Sequence, residues 1–182
     1  MNVTPLAIAD VKVIEPQVFG DERGFFFESF NRRKLEAALG RLLDFVQDNH
    51  SRSAKNVLRG LHYQIRQPQA KLVRVVAGEI FDVVLDIRRH SSTFGRWAGQ
   101  TLSADNKKQL WVPEGFAHGF LVMSSHAEVQ YKTTDYWAPE HERCIAWNDP
   151  AIGIEWPLAG EIPVLSDKDR DGRLLASAET FP

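Results

Sequence analysis

Two neighbouring stretches carry most of the polar chemistry of this sequence, Gln47-Asp-Asn-His-Ser-Arg-Ser53 and Asn56-Val-Leu-Arg-Gly-Leu-His-Tyr-Gln64. In the second, Val57, Leu58, Leu61 and Tyr63 favour a strand, because branched and aromatic side chains fit a pleated, half-buried surface. That strand also carries Arg59 and His62. A buried charge is costly unless it is paired or meets a ligand, so Arg59 points to an anion and His62 to a base or a metal ligand. Three residues apart on a regular strand, they would face opposite ways. Gly60 lies between them, and a glycine inside a strand often marks a bulge, which would turn both side chains to one cavity.

The rest of the chain must build the walls of that cavity. Residues 11–14 read as a short strand that stops at Glu15-Pro16. Phe19-Gly-Asp-Glu-Arg-Gly24 is turn-rich and leads into Phe25-Phe-Phe-Glu-Ser-Phe30, whose three consecutive aromatics imply a strand covered on both sides. Arg23 and Glu28 flank it and suit a surface ion pair. Asn31 can cap a helix, residues 32–39 are mostly helix formers, and Gly40 sits where a helix stops. From there short strands follow at 45–51, 57–64, 71–76, 79–87, 97–102, 109–112, 117–123, 127–134 and 144–147. Turn signals such as Ala77-Gly-Glu, Asp105-Asn, Pro113-Glu-Gly and Ser124-Ser separate them. This pattern indicates an all-β sandwich or barrel, with the jelly roll as the natural choice.

Within Glu79-Ile-Phe-Asp-Val-Val-Leu-Asp-Ile87, the face bearing Phe81, Val83, Leu85 and Ile87 is wholly apolar, and the face bearing Ile80, Asp82, Val84 and Asp86 is mixed. Either the mixed face lines a barrel interior that holds a polar ligand, or Asp82 and Asp86 face water. The charged segment 167–173 reads as a loop over the surface.

At 182 residues with 43% hydrophobic content, the chain suits one well-buried core, a single domain spanning 1–182. A net charge of -2 argues against a general nucleic-acid binder, so an anionic ligand needs a local basic cluster. The single Cys144 has no internal disulfide partner, which suits a reducing cytoplasm and a packed, inert thiol. No apolar run reaches membrane-spanning length, and Met1-Asn-Val-Thr-Pro-Leu lacks the basic start of a signal peptide. The expectation is a cytoplasmic protein with no membrane or nucleic-acid partner. Cupin-type jelly rolls often bind a metal through a His-x-His pair on one strand, but here that slot reads His62-Tyr63-Gln64. Since His50, His90, His118, His126 and His141 form no close pair either, no metal site is expected.

Taken together, Gly20-Asp-Glu-Arg-Gly-Phe-Phe-Phe-Glu28, Gln47-Asp-Asn-His-Ser51, Val57-Leu-Arg-Gly-Leu-His-Tyr63, Lys71-Leu-Val-Arg74, Pro113-Glu-Gly-Phe-Ala-His-Gly-Phe120, Tyr131-Lys-Thr-Thr-Asp-Tyr136 and Trp147-Asn-Asp-Pro150 resemble the dTDP-4-dehydrorhamnose 3,5-epimerases. The resemblance runs from about Val11 to Asp169. It implies an all-β cupin-type jelly-roll barrel with a short N-terminal helix and a C-terminal covering segment. It also implies a homodimer without metal or other cofactor, acting on a nucleotide sugar by inverting C3 and C5 of dTDP-4-keto-6-deoxy-D-glucose. Carbons flanking a ketone lose protons to form an enolate, which calls for a base on one face, an acid on the other and a donor at the keto oxygen.

By this resemblance His62 is the base, Asp169 the carboxylate that orients it, Tyr131 the acid and Lys71 the cation near the keto oxygen. Arg23, Arg59 and Lys168 match the diphosphate contacts, since guanidinium and ammonium groups suit phosphate oxygens. Gln47, Asp48 and Asn49 match polar contacts to base or sugar, and Glu28, His118 and Glu142 complete the set. Some N-terminal contacts cross to the partner subunit in the family, so Arg23 and Glu28 are expected to serve the neighbour's site. Many relatives stack the thymine on a tyrosine where this chain has Trp137, whose larger face should stack at least as well. A single-site 3- or 5-epimerase would carry the same motifs, whereas a non-catalytic binder would have no need of His62, Tyr131 and Asp169 together.

Overall fold

The computed structural model describes residues 1–182, folded as two facing β-sheets with one eight-residue helix packed on the outside. The six-stranded sheet runs in the order β1 (Asn2–Pro5), β2 (Lys12–Glu15), β10 (Gln109–Val112), β7 (Lys71–Ala77), β12 (His126–Thr133), β5 (Gln47–Ala54). The five-stranded sheet runs β13 (Glu142–Cys144), β6 (Leu58–Gln64), β11 (Phe116–Val122), β8 (Glu79–Asp86), β9 (Trp97–Ser103). Every ladder between named strands is antiparallel. A separate hairpin joins β3 (Val18–Asp21) to β4 (Gly24–Phe27). This is the jelly roll expected of so many short strands, and no helix is long and apolar enough to cross a membrane.

Three apolar clusters explain why the layers hold. Between the sheets, Val13, Val73, Val75, Val112 and Val129 of one meet Ile80, Val84, Leu102, Phe120 and Val122 of the other. Outside the five-stranded sheet, Leu61, Val83, Leu85, Ile87 and Ile145 are covered by Ile152, Trp156, Leu175, Ala178 and Phe181 of the C-terminal segment. Outside the six-stranded sheet, α1 (Arg32–Leu39) seats Leu35 among Ile14, Leu43, Leu72 and Trp111. Burying one such leucine stabilises the fold by about 1.5–3 kcal/mol. The ends of α1 are those the sequence indicates: the Asn31 side chain accepts from the Lys34 N–H, and Gly40 stops the helix at φ +68°.

The two parities of β8 divide as the barrel reading requires. Phe81, Val83 and Leu85 face outward under the C-terminal segment, while Ile80 and Val84 face the space between the sheets. Asp82 and Asp86 are both fully buried, so neither faces water. Asp86 accepts from Arg88 (2.7 Å), Ser91 (2.6 Å) and Thr93 (2.6 Å). Burial pushes the Asp86 carboxyl up, but these partners together hold it at about 2.

Several expectations need correction. The aromatic run is not covered within the chain: Phe25 and Phe26 are 61% and 68% exposed, because the β3–β4 hairpin joins neither large sheet. Arg23 and Glu28 do not pair with each other; Arg23 closes a tight turn on Asp21, and Glu28 binds Lys34 and Asn31 at the start of α1. The strand expected at 144–147 ends at Cys144, because the Ala146 N–H turns to the Arg173 carbonyl (2.8 Å). Segment 167–173 is no surface loop: Asp167–Arg170 forms a helical turn, α2, that buries Asp169 to 3% exposure.

Candidate active site

A cavity of about 280 Å³ opens between the sheets. On one wall β5 supplies Gln47, Asn49 and Ser51, β7 supplies Lys71, and β12 supplies Tyr131. On the other, β6 supplies Arg59, His62 and Gln64, β11 supplies His118, and β13 supplies Glu142. Lys168 of α2 and Trp137 of the loop after β12 complete its rim. Strand alternation selects these side chains: Gln47, Asn49 and Ser51 share one parity, and Asp48 and His50 share the other. Asp48 therefore points to the outer face of the sheet, where it accepts from Lys132 (2.9 Å), and the structure does not bring it to the cavity. Arg23 and Glu28 lie outside the cavity as well, on or beside the protruding hairpin.

The bulge expected at Gly60 is present. His62 lies opposite His118 and Arg59 opposite Phe120, so three steps along β6 match two along β11. Gly60 has φ +120°, and a Cβ there would stand 2.5 Å from Gly119 Cα and 2.7 Å from the His118 carbonyl oxygen. Only glycine fits that approach. The irregularity serves both side chains, since Arg59 and His62 line the same cavity, and the Gly60 N–H is free to bind Asp169 Oδ1 at 2.9 Å.

Asp169 sits directly behind His62. Its Oδ1 is 2.6 Å from His62 Nε2, although off the line of the ring N–H, so the contact is a close charge–ring approach more than a fully formed hydrogen bond. Ser166, which caps α2, donates to Asp169 Oδ2 (2.6 Å). Burial pushes the Asp169 carboxyl up, but His62, Ser166 and the Gly60 N–H outweigh it and hold the group well below the usual carboxylate range. Burial, opposed by Asp169, lowers the His62 imidazole below its ordinary 6.5. The imidazole is thus neutral at pH 7, as a base must be.

Across the cavity Lys71 lies with its ammonium 5.9 Å from the Tyr131 ring centre. Burial lowers the Lys71 ammonium to about 8, against the pull of Asp82 and Glu142. Burial, helped by Glu142, raises the Tyr131 phenol, which keeps it protonated at neutral pH. On the floor, His118 Nε2 meets Asp82 Oδ1 at 2.7 Å, both buried. Lys168 binds Glu142 (2.9 Å), and Arg59 donates to the Ser53 hydroxyl (3.0 Å). Sequence reasoning did not single out Asp82 as a partner of His118, although its place on the mixed face of β8 was the available signal. It treated Gln64 only as a missing histidine.

Cys144 Sγ and the ligand atoms of His62 and Asp169 lie within 4.8 Å of one another, the one His/Cys/acid triple at metal-binding range. Burial and the Asp169 charge push the Cys144 thiol up to about 12, so it is protonated at neutral pH.

The fold is a cupin-type jelly roll whose cavity sets His62, backed by Asp169, on the sheet facing Tyr131 and Lys71. A family profile described as dTDP-4-dehydrorhamnose 3,5-epimerase matches residues 5–177. The chain belongs to this family and is an epimerase. It is 64% identical over 182 residues to the dTDP-4-dehydrorhamnose 3,5-epimerase of Pseudomonas aeruginosa, covering 100% of both chains. Its structure is similar, at a TM-score of 0.95 and 54% identity, to that of the dTDP-6-deoxy-D-glucose-3,5-epimerase of Legionella pneumophila in complex with dTDP-4-keto-L-rhamnose, covering 98% of this chain and 94% of that one. A 3'-monoepimerase from Streptomyces bikiniensis, in complex with dTDP-quinovose, shares the fold at a TM-score of 0.90 and 34% identity, over 96% and 88% of the two chains.

Proposed function

We propose that this single-domain chain inverts C3 and C5 of dTDP-4-keto-6-deoxy-D-glucose through enolates formed by His62 and reprotonated by Tyr131. The observation that carries this is the placement of the two groups on facing sheets, β6 and β12, so that a sugar held between them meets a base on one face and an acid on the other. With Nε2 turned to Asp169, Nδ1 of His62 takes the proton from the carbon beside the ketone. The negative Asp169 stabilises the imidazolium that results. Charge moves to the keto oxygen, where Lys71 supplies a positive partner. Tyr131 then gives its proton to the opposite face of the same carbon, and solvent exchange restores both groups before the second centre reacts. No step calls for a metal or other cofactor.

The nucleotide is held at the rim. Arg59 and Lys168 meet the diphosphate, Gln47, Asn49 and Glu142 contact sugar or base, and Trp137 stacks on the thymine. His118, fixed by Asp82, supports the sugar from the floor. Arg23 and Glu28 reach a site only if the hairpin docks on a second copy of the chain. The exposed Phe19, Phe25 and Phe26 give that hairpin an apolar face suited to such docking, which supports a homodimer with shared sites. An unpaired Cys144 agrees with a cytoplasmic setting.

The test is isotopic. With dTDP-4-keto-6-deoxy-D-glucose in heavy water, deuterium should enter at both C3 and C5. Uptake at one carbon alone would make the protein a single-site epimerase, as in the Streptomyces bikiniensis relative.

A further inference from the structure

We infer that Gln64 is a positioning residue that fixes Trp137 as the stacking surface for the nucleotide base, an inference that rests on the reading of Trp137 given above. Gln64 stands two residues after the base on β6, in the slot where metal-binding cupins carry a second histidine, and is only 4% exposed. Its amide is fully engaged, with the loop after β12 on two sides and with the loop after β6 on the third. Nε2 donates to the carbonyls of Gln67 (2.8 Å) and Tyr136 (3.2 Å), and Oε1 accepts from the Ala138 N–H (2.8 Å). The residues on both sides of Trp137 are therefore tied to one side chain. The remaining N–H, that of Trp137 itself, donates to Gln47 Oε1 at 3.0 Å.

The indole is 58% exposed and makes no hydrogen bond through its side chain, so its orientation depends on the backbone beneath it. Only a carboxamide offers two donors and an acceptor in this arrangement; a carboxylate would face two carbonyl oxygens, and an imidazole has no NH₂ fork. Because the same strand carries His62, the bonds of Gln64 also set how far the base platform stands from the proton-abstracting group. Gln64 acts on binding rather than on proton transfer.

The experiment compares Gln64→Met, Gln64→Glu and Trp137→Ala, singly and combined, reading dTDP affinity by titration, KM and kcat with the keto sugar, and folding by thermal melting. If the loop holds its stacking geometry only about a fifth of the time without the amide, apparent affinity falls about fivefold. Gln64→Met should weaken dTDP binding and raise KM by that factor with kcat within about twofold of wild type. In the Trp137→Ala background the same change should add less than about twofold, because the platform it positions is gone. A folded Gln64→Met protein with wild-type dTDP affinity would overturn the inference, as would full additivity with Trp137→Ala or a loss confined to kcat. Gln64→Glu, which keeps the bond from Ala138 but not the two donated bonds, gives the same readouts if the methionine variant does not fold. Failure of both to fold would assign Gln64 to the scaffold and overturn the inference too. Normal dTDP binding by Trp137→Ala would instead refute the stacking reading itself.

Discussion

Replacing Asp169 by Asn removes one charge and leaves the shape. With its oxygen in the Oδ1 position the amide still accepts from the Gly60 N–H, which binds Asp169 at 2.9 Å, and its NH₂ in the Oδ2 position can donate to the Ser166 hydroxyl, 2.6 Å from Asp169, so the variant should fold. What changes is His62. Its Nε2 now faces a neutral carbonyl oxygen in place of a carboxylate oxygen, so Nδ1, the nitrogen that should receive the substrate proton, becomes less basic. The imidazolium also loses its counter-charge. With Asp169 Oδ1 2.6 Å from Nε2, the two charge centres lie roughly 4 Å apart, and at an effective dielectric constant of about 20 their attraction is about 4 kcal/mol. At 1.36 kcal/mol per tenfold this is about a 10³-fold loss in kcat. The assay is turnover of the keto sugar under saturation at pH 7.5, with circular dichroism and melting as folding controls. A folded variant that keeps kcat within about threefold of wild type would refute the dyad.

The pH profile of kcat/KM should be bell-shaped. Its acid limb falls below 6.5, because burial lowers His62 and the neutral base survives until the solution is more acidic than an ordinary histidine requires. Its alkaline limb lies near 8, where Lys71 loses its proton; a limb at 10 or above would move that role to the raised phenol of Tyr131. Trp137→Ala should raise KM about tenfold or more with a smaller change in kcat, since base stacking on an aromatic ring contributes roughly 1–3 kcal/mol; normal binding would remove Trp137 from the base site. Phe26→Asp should convert a dimer to monomers in sedimentation and lower activity, and a wild-type chain that sediments as an active monomer would contradict the shared site.

Much of the site was legible because its signals were local. Gly60 between Arg59 and His62 indicated a bulge, and the ladder slips there; Asn31 and Gly40 bracketed α1 as found. The alternation of β5 already separated Gln47 and Asn49 from Asp48, and only the motif drew Asp48 into the site. What the sequence hid is long-range. Asp169 lies in a run of charges that reads as solvated; the motif alone named it, and its contacts to Gly60, 109 residues away, to His62 and to Ser166 turn it inward. The Gln64 amide serves Gln67, Tyr136 and Ala138, partners that no periodicity links to it. Asp82 could be placed on the barrel interior by parity, but its partner His118 comes from the neighbouring strand β11. The aromatic run read as a strand covered on both sides, but the hairpin that carries it joins neither large sheet and leaves Phe25 and Phe26 exposed.

The central claim is that base and acid act from opposite faces, and solvent exchange in two variants tests it most directly. Tyr131→Phe leaves His62 able to form the enolate and to return a solvent-exchanged proton to the same face. Deuterium should therefore enter at C3 or C5 faster than epimerised product appears, whereas His62→Ala should abolish both exchange and inversion. If Tyr131→Phe inverts both centres at the wild-type rate, or His62→Ala still exchanges, the assignment of the two faces is wrong.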